Sequence, residues 1–108
     1  GNDDMIAPLL SLGASGVISV WSNVAPQTVH NLVAYWHDGN PQKAREIQLA
    51  NLDLIRALFC EVNPIPVKYA LAEMGLLDEN YRLPLWKLTD AHKDLLAAEL
   101  KKAGILHA

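Results

Sequence analysis

The sequence contains very little cysteine, with Cys60 as the single example in 108 residues. A lone cysteine cannot form a disulfide within the chain, so nothing indicates an oxidising compartment. No apolar run approaches the roughly 18 residues that a membrane span needs, and the first residues do not have the pattern of a secretory signal. We therefore expect a soluble cytoplasmic protein that binds no membrane.

The chain also lacks an excess of basic residues. Nine Lys and Arg face twelve Asp and Glu, the net charge is −3, and the charges are interspersed, which argues against nucleic-acid binding. His30 and His37 lie seven residues apart rather than at the four-residue spacing typical of helical zinc ligands, so we expect no metal site. Because 51% of the residues are hydrophobic, the chain is built to bury a core, and its length fits one structural unit.

Most of the sequence has helical periodicity interrupted by glycine and proline. The polar head at Asn2, Asp3 and Asp4 suits the N-terminal end of a helix, where caps and carboxylates are favourable. The expected helices cover residues 4–12, 26–38, 41–60, 64–74 and 89–103, with Thr89 as the N-cap of the last.

One short segment differs from this pattern. Residues 16–20 are β-branched and nearly all apolar, which predicts a strand buried on both faces, as in parallel sheets. A strand needs neighbours for its backbone N–H and C=O groups, and the chain offers no convincing second strand. We expect polypeptide outside these 108 residues to flank it. The alternative is a tight apolar connection inside a small all-helical bundle.

Several motifs in order along the chain resemble one enzyme family. These are GNDD at 1–4, LGASGVISV at 12–20, SNVAP at 22–26, EVNPIPVK at 61–68 and RLPL at 82–85. They resemble the C-terminal part of dihydrodipicolinate synthase (4-hydroxy-tetrahydrodipicolinate synthase), in the superfamily of pyruvate-dependent class I aldolases. The resemblance covers essentially the whole chain, and NPIPVK followed by LPL favours this branch.

The resemblance implies an α/β fold, namely the C-terminal fragment of a (β/α)8 TIM barrel with a C-terminal helical tail. Residues 1–38 would be the end of the barrel (the tip of strand seven, helix seven, strand eight and helix eight), and residues 39–108 the helical region. The fragment itself would be mostly α-helical. Since a complete barrel has roughly 250 residues, most of it would lie upstream.

The resemblance also implies the chemistry of the parent enzyme, a lyase that condenses pyruvate with aspartate semialdehyde in lysine biosynthesis. Its Schiff-base lysine, tyrosine and threonine would all lie upstream, so no catalytic residue and no metal or organic cofactor is expected in this chain, which alone would be inactive. The candidate substrate-binding residues are Ile18, through its main-chain carbonyl, and Gly1, Asn2 and Asp3 at the barrel mouth. Trp21 stands where the family often has a smaller residue at the pocket wall.

The implied partners are pyruvate and aspartate semialdehyde, the remainder of the barrel, and further copies of the chain in a tetramer. Three alternatives stay open. The parent could be a related aldolase, such as N-acetylneuraminate lyase or a keto-deoxy sugar-acid aldolase. The chain could be a non-catalytic helical scaffold that oligomerises through its apolar strand. It could also be an independent enzyme that uses Lys68, although a lysine on a helix usually extends its amine to solvent.

Overall fold

The computed structural model describes residues 1–107, and within this range the chain is mostly helical and contains no β-strand. Two short 3-10 turns, Asp3–Met5 and Trp21–Asn23, accompany the α-helices. The helices are α1 (Ile6–Ser11), α2 (Pro26–His37), α3 (Pro41–Ala50), α4 (Leu52–Leu58), α5 (Ile65–Glu73) and α6 (Asp90–Lys102). None of the helices in this range is long and apolar enough to span a bilayer.

The core lies among α2, α4, α5 and α6, with α2 packed along α3 and α4 packed along α6. Its largest fully buried side chains include Trp21, Leu32, Leu58, Leu96 and Leu100. Burying a leucine of this kind stabilises the fold by about 1.5–3 kcal/mol. The apolar positions at helical spacing therefore form the interior that the sequence predicts.

Proline and glycine set the ends of several helices as expected. Pro26 and Pro41 occupy the first helical positions of α2 and α3, where a missing N–H costs little. Gly39 follows α2 with φ +81°, and the N–H of Asn40 donates to the carbonyl of Tyr35 at 2.8 Å. This arrangement needs a left-handed residue directly after the helix, which glycine adopts without strain.

The single long helix expected over residues 41–60 is wrong. The structure has two helices separated at Asn51, whose side-chain Nδ2 donates to the carbonyl of Ile47 at 2.8 Å. A continuing helix would use the N–H of Asn51 for that carbonyl, but this N–H donates instead to Gln48 O at 3.3 Å. The asparagine side chain thus competes with the helical hydrogen-bond ladder and divides the segment.

The strand expected over residues 16–20 is also wrong for this chain by itself. Residues 14–19 have no regular secondary structure, and Ile18 is 94% exposed. Among the hydrogen bonds within residues 1–107, none is donated by a backbone N–H of residues 15–19. A strand is defined by its partners, so a strand sequence without neighbouring strands forms an exposed connection. We call residues 14–20 the barrel segment.

Adjacent leucines on α6 test how the core is organised. Leu96 is fully buried, whereas Leu95 is 43% exposed. We expect Leu96→Ala to lower the free energy of unfolding by about 2–5 kcal/mol, because truncating a buried leucine removes packing and leaves a cavity. Chemical denaturation of the full-length protein measures the change. The matched control, Leu95→Ala, should change it by less than about 1 kcal/mol, and equal effects of the two variants would contradict this description of the core.

Candidate functional site

A buried carboxylate joins the start of the chain to the barrel segment. Asp3 is only 2% exposed, and its Oδ2 accepts hydrogen bonds from the backbone N–H of Val20 at 3.0 Å and of Trp21 at 3.1 Å. Bonds to a carboxylate are stronger than those between neutral groups. The polar head was expected to cap the first helix, but neither Asn2 nor Asp3 does so. The first helix is instead a 3-10 turn followed by α1.

Gln48 on α3 completes this buried polar link. Its Nε2 donates to the main-chain carbonyl of Asp3 at 2.9 Å, and its Oε1 accepts from the N–H of Ala7 at 3.0 Å. Gln48 is 3% exposed, so both ends of its amide are used inside the protein. Asp3 and Gln48 are the two buried polar residues of the described chain. No local motif in the sequence indicates their pairing, because they lie 45 residues apart.

The structure brings two of the four predicted site residues together. Asn2 and Asp3 line a cavity of about 350 Å³. The other lining residues are Asp4, Ile55, Arg56 and Phe59. Gly1 is exposed and lies close to Leu9. A larger residue at position 1 would crowd Leu9, because its Cβ would lie 2.8 Å from Leu9 Cδ1. Ile18 does not line the cavity. Its segment is connected to the cavity residue Asp3 by the hydrogen bonds from Val20 and Trp21.

The cavity offers charge and hydrogen bonding but no nucleophile. Its lining includes no lysine, cysteine or histidine, and its cation, Arg56, is exposed and lies 3.4 Å from Asp53. An exposed pair of this kind contributes little to stability. The volume is within the range of small-molecule sites. This part of the protein can therefore contribute to binding, while any covalent chemistry needs groups from elsewhere.

Trp21 lies in the core of the described residues. Its side chain is 0% exposed, and it does not line the cavity beside Asp3. Two buried polar side-chain atoms have no partner within residues 1–107, namely Asp3 Oδ1 and Trp21 Nε1. The link from Asp3 to the barrel segment therefore uses one carboxylate oxygen, Oδ2.

Lys68 lies in a setting that favours a structural role. Its Nζ donates to the carbonyl of Asn80 at 3.1 Å and lies 5.9 Å from the ring centre of Tyr81. Burial, with the nearby charge of Glu79 as the second cause, raises the pKa of Tyr81 to about 12, so this ring stays neutral at physiological pH. These contacts fasten α5 to the loop that precedes α6.

A second polar cluster holds the N-terminal end of α6. Oε2 of Glu61 accepts from both the N–H and the hydroxyl of Thr89, each at 3.0 Å, and lies 2.7 Å from His92 Nδ1. Hydrogen bonds from the Thr89 backbone, and then from His92, lower the pKa of Glu61 below its ordinary value. Thr89 occupies the expected N-cap position, but its side chain donates to Glu61 and does not cap the helix.

The remaining candidate groups offer no reactive centre. Burial raises the pKa of the Cys60 thiol, with the neighbouring charge of Glu61 as the second cause, so the thiolate is disfavoured. Nε2 of His37 lies 2.8 Å from the carbonyl of Ser15, which anchors the beginning of the barrel segment. Across residues 1–107, no three His, Cys, Asp or Glu side chains are grouped so that they could hold a metal ion.

Comparison with solved structures shows the class of protein. The chain superposes with a TM-score of 0.96 on dihydrodipicolinate synthase from Thermotoga maritima, at 46% identity over 98% of this chain and 36% of that one. The enzyme from Acinetobacter baumannii, solved in complex with pyruvate, gives a TM-score of 0.93 at 42% identity, with the same coverage. The fold is thus the mostly helical C-terminal part of a (β/α)8 barrel, as expected.

The sequence comparisons are equally specific. A model of the Dihydrodipicolinate synthetase family matches residues 1–103, and the chain belongs to that family. A 4-hydroxy-tetrahydrodipicolinate synthase from Acetivibrio thermocellus is 50% identical over 106 residues, which is 98% of this chain. The chain spans about 36% of the length of that relative.

The Glu61 cluster predicts how stability depends on pH. Because the pKa of Glu61 is lower in the folded protein, its ionised form stabilises the fold above the pKa of the unfolded chain, about 4.3. This contribution is lost as the pH falls below about 5 and through the lower folded value. We expect Glu61→Gln to flatten the fall in melting temperature over this range.

The control for this experiment is Glu46→Gln, which changes an exposed glutamate on α3. Thermal melts of the full-length protein between about pH 6 and 3 should show the wild-type slope in this control. An unchanged slope in Glu61→Gln would show that the cluster does not couple acid titration to folding.

Proposed function

We propose that this chain is the C-terminal part of a lyase that condenses pyruvate with aspartate semialdehyde, the step that 4-hydroxy-tetrahydrodipicolinate synthase catalyses in lysine biosynthesis. The observation that carries the proposal is the 50% identity over 98% of the chain to an enzyme of that name. The related Acinetobacter enzyme was solved with pyruvate bound. The reaction would proceed through a Schiff base on a lysine supplied by the rest of the protein.

The geometry around Asp3 supports this assignment. The hydrogen bonds from Val20 and Trp21 to Asp3 hold the end of the barrel segment against the first residues of the chain. In a parallel barrel the carboxyl ends of consecutive strands are neighbours, and (β/α)8 enzymes bind their substrates at that face. We expect two such strand ends to lie side by side at the mouth of the barrel, namely the tip of strand seven at Gly1 and strand eight around Ile18.

In this proposal the chain supplies binding groups and the remaining barrel supplies the nucleophile. The main-chain carbonyl of Ile18 faces pyruvate, and Gly1, Asn2 and Asp3 border the mouth. The side chain of Ile18, which is exposed in this chain, packs against strands from the rest of the barrel. Residues 1–38 complete the barrel and residues 39–108 are the helical region, of which residue 108 lies outside the described residues. The imine chemistry needs no metal or organic cofactor.

Pyruvate with borohydride tests the position of the nucleophile. The lysine amine and the pyruvate carbonyl form an imine with loss of water, and borohydride reduces this imine to a stable amine. In the full-length protein we expect peptide mass spectrometry to find the adduct on a lysine outside these 108 residues. Lys68→Arg should leave the yield unchanged. An adduct on Lys68 would instead support an independent enzyme.

The second substrate separates this proposal from the related aldolases. Turnover of pyruvate with aspartate semialdehyde should exceed turnover with N-acetylmannosamine or a sugar aldehyde by on the order of 10²-fold in kcat/KM. A site built around one polar substrate leaves its hydrogen-bonding groups unpaired with another. Steady-state assays of the full-length protein measure the ratio. A preference for the sugar acceptor would place it with the lyases of N-acetylneuraminate or keto-deoxy sugar acids.

We further propose a cytoplasmic homotetramer for the complete protein. The alternative of a scaffold whose barrel segment pairs with another copy is favoured only by the exposed Ile18 and by the unpaired N–H groups of residues 15–19. Sedimentation of the full-length protein, with and without Ile18→Lys, distinguishes the two. Dissociation into folded subunits would support pairing through the segment, whereas unfolding of the subunits themselves would support burial of Ile18 within each barrel, because an unpaired buried charge destabilises a fold.

A further inference from the structure

We infer that Asp3 and Gln48 act together as positioning residues that set the main-chain carbonyl of Ile18 against the keto acid. This inference rests on the proposed function and extends it from the barrel mouth to helix α3. It starts from the two buried polar residues of the described chain: Gln48 contacts Asp3, and Asp3 contacts the segment that carries the carbonyl.

The barrel segment packs three partly buried apolar side chains against the core but makes few hydrogen bonds to distant parts of the chain. The ring of His37 holds its beginning at the carbonyl of Ser15, and Asp3 holds its end at the N–H groups of Val20 and Trp21. No backbone N–H between these points donates a hydrogen bond within the described residues. Ser19, which follows Ile18, is bonded locally to Ser22, whose N–H donates to Ser19 Oγ at 2.9 Å and whose hydroxyl donates to the carbonyl of Ser19 at 2.7 Å. Asp3 Oδ2 attaches this local turn to a distant part of the chain, so its position sets where the peptide group of Ile18 lies relative to the first residues.

Gln48 fixes Asp3 in turn. Its amide bridges the carbonyl of Asp3 and the N–H of Ala7, so the backbone carrying the carboxylate is held at both sides of the 3-10 turn. The amide uses one donor and one acceptor in a buried site, where either bond would be costly to lose. Through this residue, helix α3 of the helical region controls the geometry of the barrel mouth.

The expected effect is large because alignment governs catalysis. A displacement of about 1 Å at a group that orients substrate can reduce kcat/KM by on the order of 10²-fold. Asp3→Ala removes the acceptor for both N–H groups, whereas Asp3→Asn keeps one side-chain oxygen. In the full-length enzyme we expect Asp3→Ala to lower kcat/KM for pyruvate by on the order of 10²-fold, mainly through KM, and Asp3→Asn to restore it to within about 10-fold.

Exposed residues of the same types supply matched controls. Asp38 is an exposed carboxylate that does not line the cavity beside Asp3, and Asp38→Ala should leave both kinetic constants within about twofold of wild type. Gln42 is an exposed glutamine on the same helix as Gln48. We expect Gln48→Ala, but not Gln42→Ala, to raise KM for pyruvate in the same direction as Asp3→Ala. If Asp3→Ala does not fold, Asp3→Asn and Gln48→Ala still test the inference.

The outcomes separate this inference from the proposed function. If borohydride traps no pyruvate on the wild-type protein, the proposed function fails and the positioning role fails with it. If the wild type forms the adduct, but folded Asp3→Ala and Gln48→Ala keep wild-type KM and kcat while melting at lower temperature, the two residues only stabilise the fold. That result would overturn the positioning role alone.

Discussion

The N–H groups of Val20 and Trp21 share one acceptor, Oδ2 of Asp3, and the arrangement of the candidate site depends on this contact. Without it, the end of the barrel segment would keep only its local hydrogen bonds to Ser22 and Asn23 and would have none to the first residues of the chain. The contact joins Asp3 to a residue 17 positions further along the chain, and neither of the two segments forms a β-strand. It therefore substitutes, inside this chain, for part of the order that a sheet would impose.

Sequence periodicity predicted most of the helices because the core positions recur at helical spacing and the breaks fall at proline and glycine. Helix α2 was expected at 26–38 and is Pro26–His37, and α6 was expected before Gly104 and ends at Lys102. The break at Asn51 was missed because it depends on a hydrogen bond from the Asn51 side chain to the carbonyl of Ile47, and the spacing of apolar residues carries no information about that bond.

The polar contacts were the least predictable part. Asp3 had the pattern of a helix cap or a barrel-mouth residue, and Gln48 had no local signal at all. Their pairing and the bonds from Asp3 to Val20 and Trp21 are tertiary, so they exist only once α3 packs beside the first turn. The Glu61 cluster is similar, because Glu61 and His92 are 31 residues apart. Family resemblance indicated which segments matter, but it did not predict which atoms connect them.

A complete barrel explains the sequence of the barrel segment better than pairing with a second copy of the chain does. Successive N–H groups of a parallel strand point to opposite edges, so one neighbour satisfies only about half of them. A copy docked on one side of residues 15–19 would leave the other edge exposed, which is an aggregation hazard. Closure into a barrel would cover both edges at once and would bury Ile18, which is 94% exposed in this chain. An apolar run with no polar alternation is what such two-sided burial requires.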